Sequence, residues 1–235
     1  MRVAAVQYKA RKGDLDTSLS ELVDLATLAA QGRDLVVLPE MAATGYWFPD
    51  SDSARLVAET PDGPTYRALA EVARQHGCWL VSGFVEDAGD KLYNSAHVID
   101  PTGKLAHVYR KTMLYEADLP WATPGDSDWR TFETHAGDFA VGICMDLNDD
   151  GFIDWLTEHR PRALAFPTNW VDQDHDPWNY WAWRLLETGT ALVAANSYGP
   201  DGELTIRGES AILLGSTLLA TAPKVGNTVL GAILT

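Results

Sequence analysis

Asp138-Phe139-Ala140-Val141-Gly142-Ile143-Cys144-Met145-Asp146-Leu147-Asn148 runs an apolar, strand-like segment directly into a cysteine and then into small polar and acidic residues. A thiol at the end of a strand, where the chain must turn, is placed to act as a nucleophile. Two other stretches are built the same way. Leu35-Val36-Val37-Leu38-Pro39-Glu40 ends in a carboxylate and Val108-Tyr109-Arg110-Lys111 ends in an ammonium. Each strand-like run thus delivers one reactive group at its C-terminal edge, and a base, a cation and a thiol are the parts of a covalent acyl-transfer site.

Outward from these three, apolar strand-like runs fall near 2–7, 34–38, 78–84, 93–99, 105–109, 138–143, 163–166, 191–195, 208–213, 217–221 and 228–234. Amphipathic helical stretches fall near 15–31, 64–76, 151–159 and 177–188. Gly77 is placed to cap the second helix, and Pro101-Thr102-Gly103-Lys104 reads as a hairpin turn. The pattern predicts a mixed α/β fold and leaves a doubly wound sheet and a two-sheet sandwich both open.

The chain has 235 residues, 46% of them hydrophobic, and no linker-like stretch, so a single domain over 1–235 is expected. Its 33 acidic against 18 basic residues give a formal net charge of −15, which repels phosphate backbones and anionic headgroups. Nucleic acid and membrane are therefore not expected partners, and Lys9-Ala10-Arg11-Lys12 and Arg160-Pro161-Arg162 read as solvated loops. No apolar run of signal-peptide length opens the chain, and none approaches the roughly 20 residues of a membrane span. A soluble, cytoplasmic protein is expected. Only two cysteines occur, Cys78 and Cys144, both in apolar runs, which argues against a disulfide framework and suits a reducing compartment. Cys78 reads as a small buried hydrophobe.

In this order and setting the three motifs resemble the carbon-nitrogen hydrolase, or nitrilase, superfamily, whose members carry a Glu-Lys-Cys triad. The resemblance extends from Arg2-Val3-Ala4-Ala5-Val6-Gln7 to Thr228-Val229-Leu230-Gly231-Ala232-Ile233-Leu234. It implies a four-layer α-β-β-α sandwich, two sheets face to face with helices outside, and pairing into a homodimer. The chain stops at its last expected strand, without the C-terminal extension many relatives use to bind neighbours, so larger assemblies are not expected.

The same resemblance implies roles. Glu40 takes the proton of Cys144, the thiolate attacks an amide carbon, and Lys111 with the backbone N–H of Met145 stabilises the oxyanion. Glu40 then protonates the leaving nitrogen and activates water against the thioester. The implied activity is cofactor-free hydrolysis of a small, non-peptide amide to a carboxylic acid and ammonia. A nitrilase or an N-carbamoyl hydrolase is the alternative within enzymes, since the same triad attacks those carbons. A catalytically idle scaffold is the alternative from another class, and the intact triad speaks against it.

Relatives also carry a second glutamate between the lysine and a Pro-Gly element, here Thr123-Pro124-Gly125-Asp126. Glu116 has the expected side chain and Asp118 the more familiar distance before the proline; Glu116 is preferred. The segment Cys144-Met145-Asp146-Leu147-Asn148 departs from the common family form and is similar to that of amidases acting on N-terminal asparagine or glutamine. One short segment does not transfer their substrate.

Nine tryptophans are many for this length, and Tyr46, Trp47 and Phe48 follow Glu40 closely. Trp47, Trp121 and Trp170, with Met145 and Asn169, are candidates to line the substrate pocket because they sit beside the triad strands. Trp178, Trp181 and Trp183 lie at helical spacing and read as core or interface, and Arg184 and Glu187, one helical step apart, as a structural pair. Asp118, Asp146, Asp149 and Asp150 either make the pocket entrance acidic or belong to a generally acidic surface. Asp172-Gln173-Asp174-His175-Asp176 has ligand-type side chains but neither the spacing nor the turn glycine of a hard-metal loop, and no histidine pair has zinc-ligand spacing. No phosphate-binding glycine motif occurs, so neither metal nor nucleotide is expected.

Overall fold

The computed structural model describes residues 1–235. The first half runs β1 (Arg2–Gln7), α1 (Leu15–Ala30), β2 (Leu35–Val37), α2 (Ser51–Arg55), α3 (Pro64–His76), β3 (Trp79–Asp87), β4 (Leu92–Ile99) and β5 (Leu105–Arg110). The second runs β6 (Thr131–Thr134), β7 (Gly137–Val141), a 3₁₀ turn (Cys144–Asn148), α4 (Asp150–His159), β8 (Ala163–Thr168), α5 (Trp178–Arg184) and β9 (Ala191–Asn196). It closes with β10 (Tyr198–Asp201), β11 (Leu204–Arg207), β12 (Ala211–Leu214), β13 (Thr217–Thr221) and β14 (Thr228–Ile233).

The strands form two six-stranded sheets, ordered β14-β1-β2-β3-β4-β5 and β13-β12-β9-β8-β7-β6. In each, three parallel strands sit beside antiparallel ones. Side-chain alternation sorts the residues into layers. Val3 and Ala5 point between the sheets, where they meet Val141, Ala163, Ala165 and Val193 of the other sheet. Ala4 and Val6 point outward against Leu22 and Ala26 of α1 and Leu69 and Val72 of α3. On the far side Leu164, Phe166 and Leu192 pack under Phe152 and Leu156 of α4 and Trp181 of α5. The fold is thus the four-layer α-β-β-α sandwich, with the central strands of both sheets covered on both faces. Many residues at the sheet-to-sheet layer are alanine, which lets the two sheets approach closely.

The structure revises several elements. The helix expected over 177–188 spans only Trp178–Arg184, and Arg184 pairs with Asp150 at 2.9 Å and the Leu147 carbonyl at 2.7 Å, not with Glu187. The strand expected over 208–213 begins at Ala211, because Gly208 and Glu209 take left-handed backbone, φ 74° and 54°. β6, α2 and the β10–β11 hairpin are additional. The hairpin matters for the site: it pairs with the chain beyond β8 through a Val171–Ile206 bridge and the Arg207 N–H to Trp170 carbonyl bond of 2.8 Å.

Candidate active site

Parallel strands in one sheet point their C-terminal ends the same way, so the turns that follow them converge on one edge of the layer. Glu40 follows β2, Cys144 follows β7 and Asn169 follows β8. Lys111 arrives from β5, one residue past its end, and its N–H donates to the Asn94 carbonyl at 2.9 Å, setting the two side chains next to each other. Close backbone packing fixes the carboxylate. A Cβ on Gly83 of β3 would lie 2.5 Å from the Glu40 Cα, so only glycine lets β3 pass there.

The polar groups form one closed network. Lys111 Nζ donates to Glu40 Oε1 at 2.9 Å and to Asp118 Oδ2 at 2.7 Å, and all three side chains are fully buried. Asn94 Nδ2 bridges the same two carboxylates at 2.7 and 3.2 Å. The Asn169 N–H donates to Glu40 Oε2 at 2.7 Å, and its side-chain amide donates to the Glu40 carbonyl at 2.7 Å. Burial raises Glu40 above the ordinary carboxylate value; Lys111 opposes that and Asp118 adds to it. For Lys111, burial alone would lower the ammonium, but the charges of Asp118 and Glu40 outweigh it and hold it well above its usual value.

Cys144 takes left-handed backbone, φ 44°, at the start of the 3₁₀ turn, a conformation costly for a residue with a side chain. The turn is held by Asp146, fully buried, which accepts from the N–H groups of Ile143 at 2.8 Å and of Thr112 and Met113 at 2.9 Å, and from the Tyr109 hydroxyl at 2.7 Å. One carboxylate therefore ties the cysteine turn to the segment just past Lys111. Asp146→Ala would leave these buried donors unpaired and is expected to destabilise the fold by about 3 kcal/mol, read by urea unfolding. Burial pushes the Cys144 thiol up to about 12, and the Glu40 charge adds to this; Lys111, the Thr168 hydroxyl and the Asn169 N–H oppose it. The proton therefore rests on sulfur. The N–H of Met145, in the first positions of the turn, has no partner inside it.

A slot of about 40 Å³ opens on Cys144, walled by Tyr115, Met145, Asn169, Trp170, Val171 and Gln173. Met145, Asn169 and Trp170 thus stand at the thiol. Trp47 and Trp121 do not. Trp47 lays its ring on Gly202 of the β10–β11 turn, with the Lys12 ammonium 5.5 Å from its ring centre. Trp121 is buried edge-on against Phe48, centroids 5.7 Å apart. Both brace the loop after Glu40.

The preference for Glu116 is also corrected. Glu116 points to solvent, while a tight turn over Tyr115–Asp118 folds Asp118 inward, its Oδ2 accepting the Tyr115 N–H at 2.9 Å. Asp118→Asn should move the acid limb of the pH–activity profile to lower pH, because it removes a charge that raises Glu40, whereas Glu116→Gln should leave the profile in place. Asp118 and Asp146, being fully buried, do not line an acidic entrance. In the 172–176 run, Asp172 is occupied by Arg207 and Lys224, each at 2.8 Å. Sequence reasoning missed Asn94, Thr168 and Tyr115; the signal for Asn94 is an amide within a strand that is buried from end to end.

The model of the carbon-nitrogen hydrolase family matches residues 2–216. A nitrilase of Pyrococcus abyssi is 33% identical over 214 residues, 90% of this chain and 80% of that protein. A protein N-terminal amidase of Schizosaccharomyces pombe is 27% identical over 259 aligned positions, 91% of each. Among solved structures, the NitN amidase of Nesterenkonia sp. AN1 superposes with a TM-score of 0.89 at 24% identity, covering all of this chain and 93% of the other.

Proposed function

The chain belongs to the carbon-nitrogen hydrolase family and is an enzyme of its amidase type; we propose that it hydrolyses a small, non-peptide carboxamide through a thioester on Cys144. The observation that carries this reading is the buried Glu40–Lys111–Asp118 network set beside a thiol that a narrow slot reaches. With the thiol pushed up to about 12, no standing thiolate is available, so the nucleophile is made as it is used. Glu40 removes the sulfur proton while sulfur bonds to the amide carbon, and the carbonyl oxygen takes the displaced electron pair. Lys111 Nζ and the Met145 N–H stabilise that oxyanion. Its collapse breaks the C–N bond, and Glu40 returns the proton to nitrogen, which leaves as ammonia. Water, deprotonated by Glu40, then attacks the thioester, releasing the carboxylic acid and restoring the thiol. Every proton is carried by Glu40, and Asp118 with Asn94 keeps Lys111 and Glu40 in register.

The test is ammonia release from short aliphatic amides, amino-acid amides, ureides and nitriles, with Cys144→Ala as blank. Turnover of amides that vanishes in the blank is expected. Nitriles or ureides hydrolysed faster than every amide would replace this reading with a nitrilase or N-carbamoyl hydrolase.

The protein is further read as a homodimer. Trp183 and Leu186, at the end of α5, are 62% and 64% exposed, apolar surface a second copy would cover. Trp183→Glu should then halve the mass measured by light scattering. No helix is long and apolar enough to cross a membrane, and two free, buried thiols suit a cytoplasmic location.

A further inference from the structure

The slot at Cys144 is narrow, about 40 Å³. It shares a wall with a larger space. Met145, Trp170 and Gln173 wall both the slot and a second, outer chamber of about 290 Å³, completed by Asn148, His175, Pro177 and Tyr180. An acyl substituent that outgrows the slot extends past these shared residues into the outer chamber, whose volume falls at the small end of ligand sites.

Two features of this chamber set its chemistry. The first is its aromatic wall: Trp170 and Tyr180 stand with ring centroids 5.7 Å apart and planes inclined by 40°. Trp170 is held edge-on by Trp181 at 5.5 Å, and its backbone N–H donates to Asn196 Oδ1 at 3.0 Å. Its ring is a fixed surface for another ring to pack on.

The second feature is charge. No lysine or arginine lines either chamber. Arg184, one turn along α5 from Tyr180, spends its guanidinium on the Leu147 carbonyl and Asp150. Two of the polar side chains are taken as well: the Tyr180 hydroxyl donates to Asn148 Oδ1, and Asn148 Nδ2 donates to the carbonyl and sulfur of Met145. A carboxylate entering here gives up its hydration for no cation, on a protein of net charge −15.

We propose, building on the amidase reading above, that the outer chamber makes this enzyme selective for uncharged carboxamides bearing an aryl group, seated against Trp170 and Tyr180, and makes it reject amides whose far end is a carboxylate. Selectivity of this kind resides in the chamber walls and is separable from the chemistry at Cys144.

The experiment is kcat/KM at pH 8, where imidazoles are neutral, for butyramide, succinamate, 3-phenylpropionamide and its para-carboxylate, with the wild-type enzyme and with Tyr180→Ala and Gln173→Arg. In the wild type, 3-phenylpropionamide should exceed butyramide at least tenfold, and each carboxylate should fall at least tenfold below its neutral counterpart. Tyr180→Ala should erase most of the aryl preference through KM. Gln173→Arg, which sets a cation at the exposed rim of both chambers, should raise the succinamate-to-butyramide ratio at least tenfold. Succinamate equal to or better than butyramide, or no aryl preference, overturns the inference and leaves the amidase reading standing. Ammonia from none of the four overturns the amidase reading and this inference together.

Discussion

Lys111→Met is expected to abolish ammonia release and to lower the unfolding free energy by about 3–5 kcal/mol, the usual cost of stripping one partner from a buried ion pair. The methionine has similar length and no charge, so the loss is electrostatic. Glu40 and Asp118 would be left facing each other through Asn94 alone, at 2.7 and 3.2 Å from its amide nitrogen. Adding Asp118→Asn to Lys111→Met removes one of the two stranded charges and should recover part of the stability, measured by urea unfolding, with no return of activity. That divergence separates the lysine's structural role from its role at the oxyanion. Lys111→Arg should not substitute, because a planar guanidinium cannot occupy the closed space of an ammonium without displacing its neighbours. Turnover by Lys111→Met at anything near the wild-type rate would contradict the mechanism.

Glu40→Gln should reduce kcat by about a thousandfold, within the range general base catalysis commonly supplies. The carboxamide has the same shape as the carboxylate, yet it does not fit the same partners. Oε1 accepts from Asn94 and Lys111 while Oε2 accepts from the Asn169 N–H at 2.7 Å, so both oxygens face donors. A glutamine must set its NH₂ against one of them, which should also cost about 1–3 kcal/mol of stability. The pH profile gives an independent reading. The base works only when ionised, and burial raises its pKa, so the acid limb of wild-type kcat/KM should lie above the ordinary glutamate value of about 4.3. Activity rises with pH through that limb. The alkaline side should not report loss of the Lys111 proton, since Asp118 and Glu40 hold it far above its usual value. The limb should be absent from whatever activity Glu40→Gln retains.

Residues whose neighbours in the chain are also their neighbours in space were readable before the structure was known. Glu40, Lys111 and Cys144 each sit at the end of an apolar run, and a strand end is a local property. The sheet arrangement was not local. Val3 and Ala4 are equally apolar because one faces the other sheet and the other faces α1 and α3, so periodicity could not say how many layers lay above the strand; the family resemblance supplied that. The hairpin of β10 and β11 was hidden by Pro200 and by alternation with no strong apolar face. Choosing between Glu116 and Asp118 required the turn that carries Asp118 inward, and side-chain identity alone favoured the wrong acid. Trp47 and Trp121 were near the triad strands in sequence, but a strand end has two sides, and these rings pack on Gly202 and Phe48 and do not wall the slot at the thiol.

The account rests on a covalent bond to one sulfur. Butyramide mixed with the enzyme, quenched in acid within the first turnover and examined by intact-protein and peptide mass spectrometry tests it directly. The expected result is a butyryl group on the peptide containing Cys144, lost on treatment with hydroxylamine and absent from Cys144→Ala. Ammonia released at an undiminished rate by Cys144→Ala, or turnover by the wild type with no acyl group on Cys144 at any quench time, would contradict it.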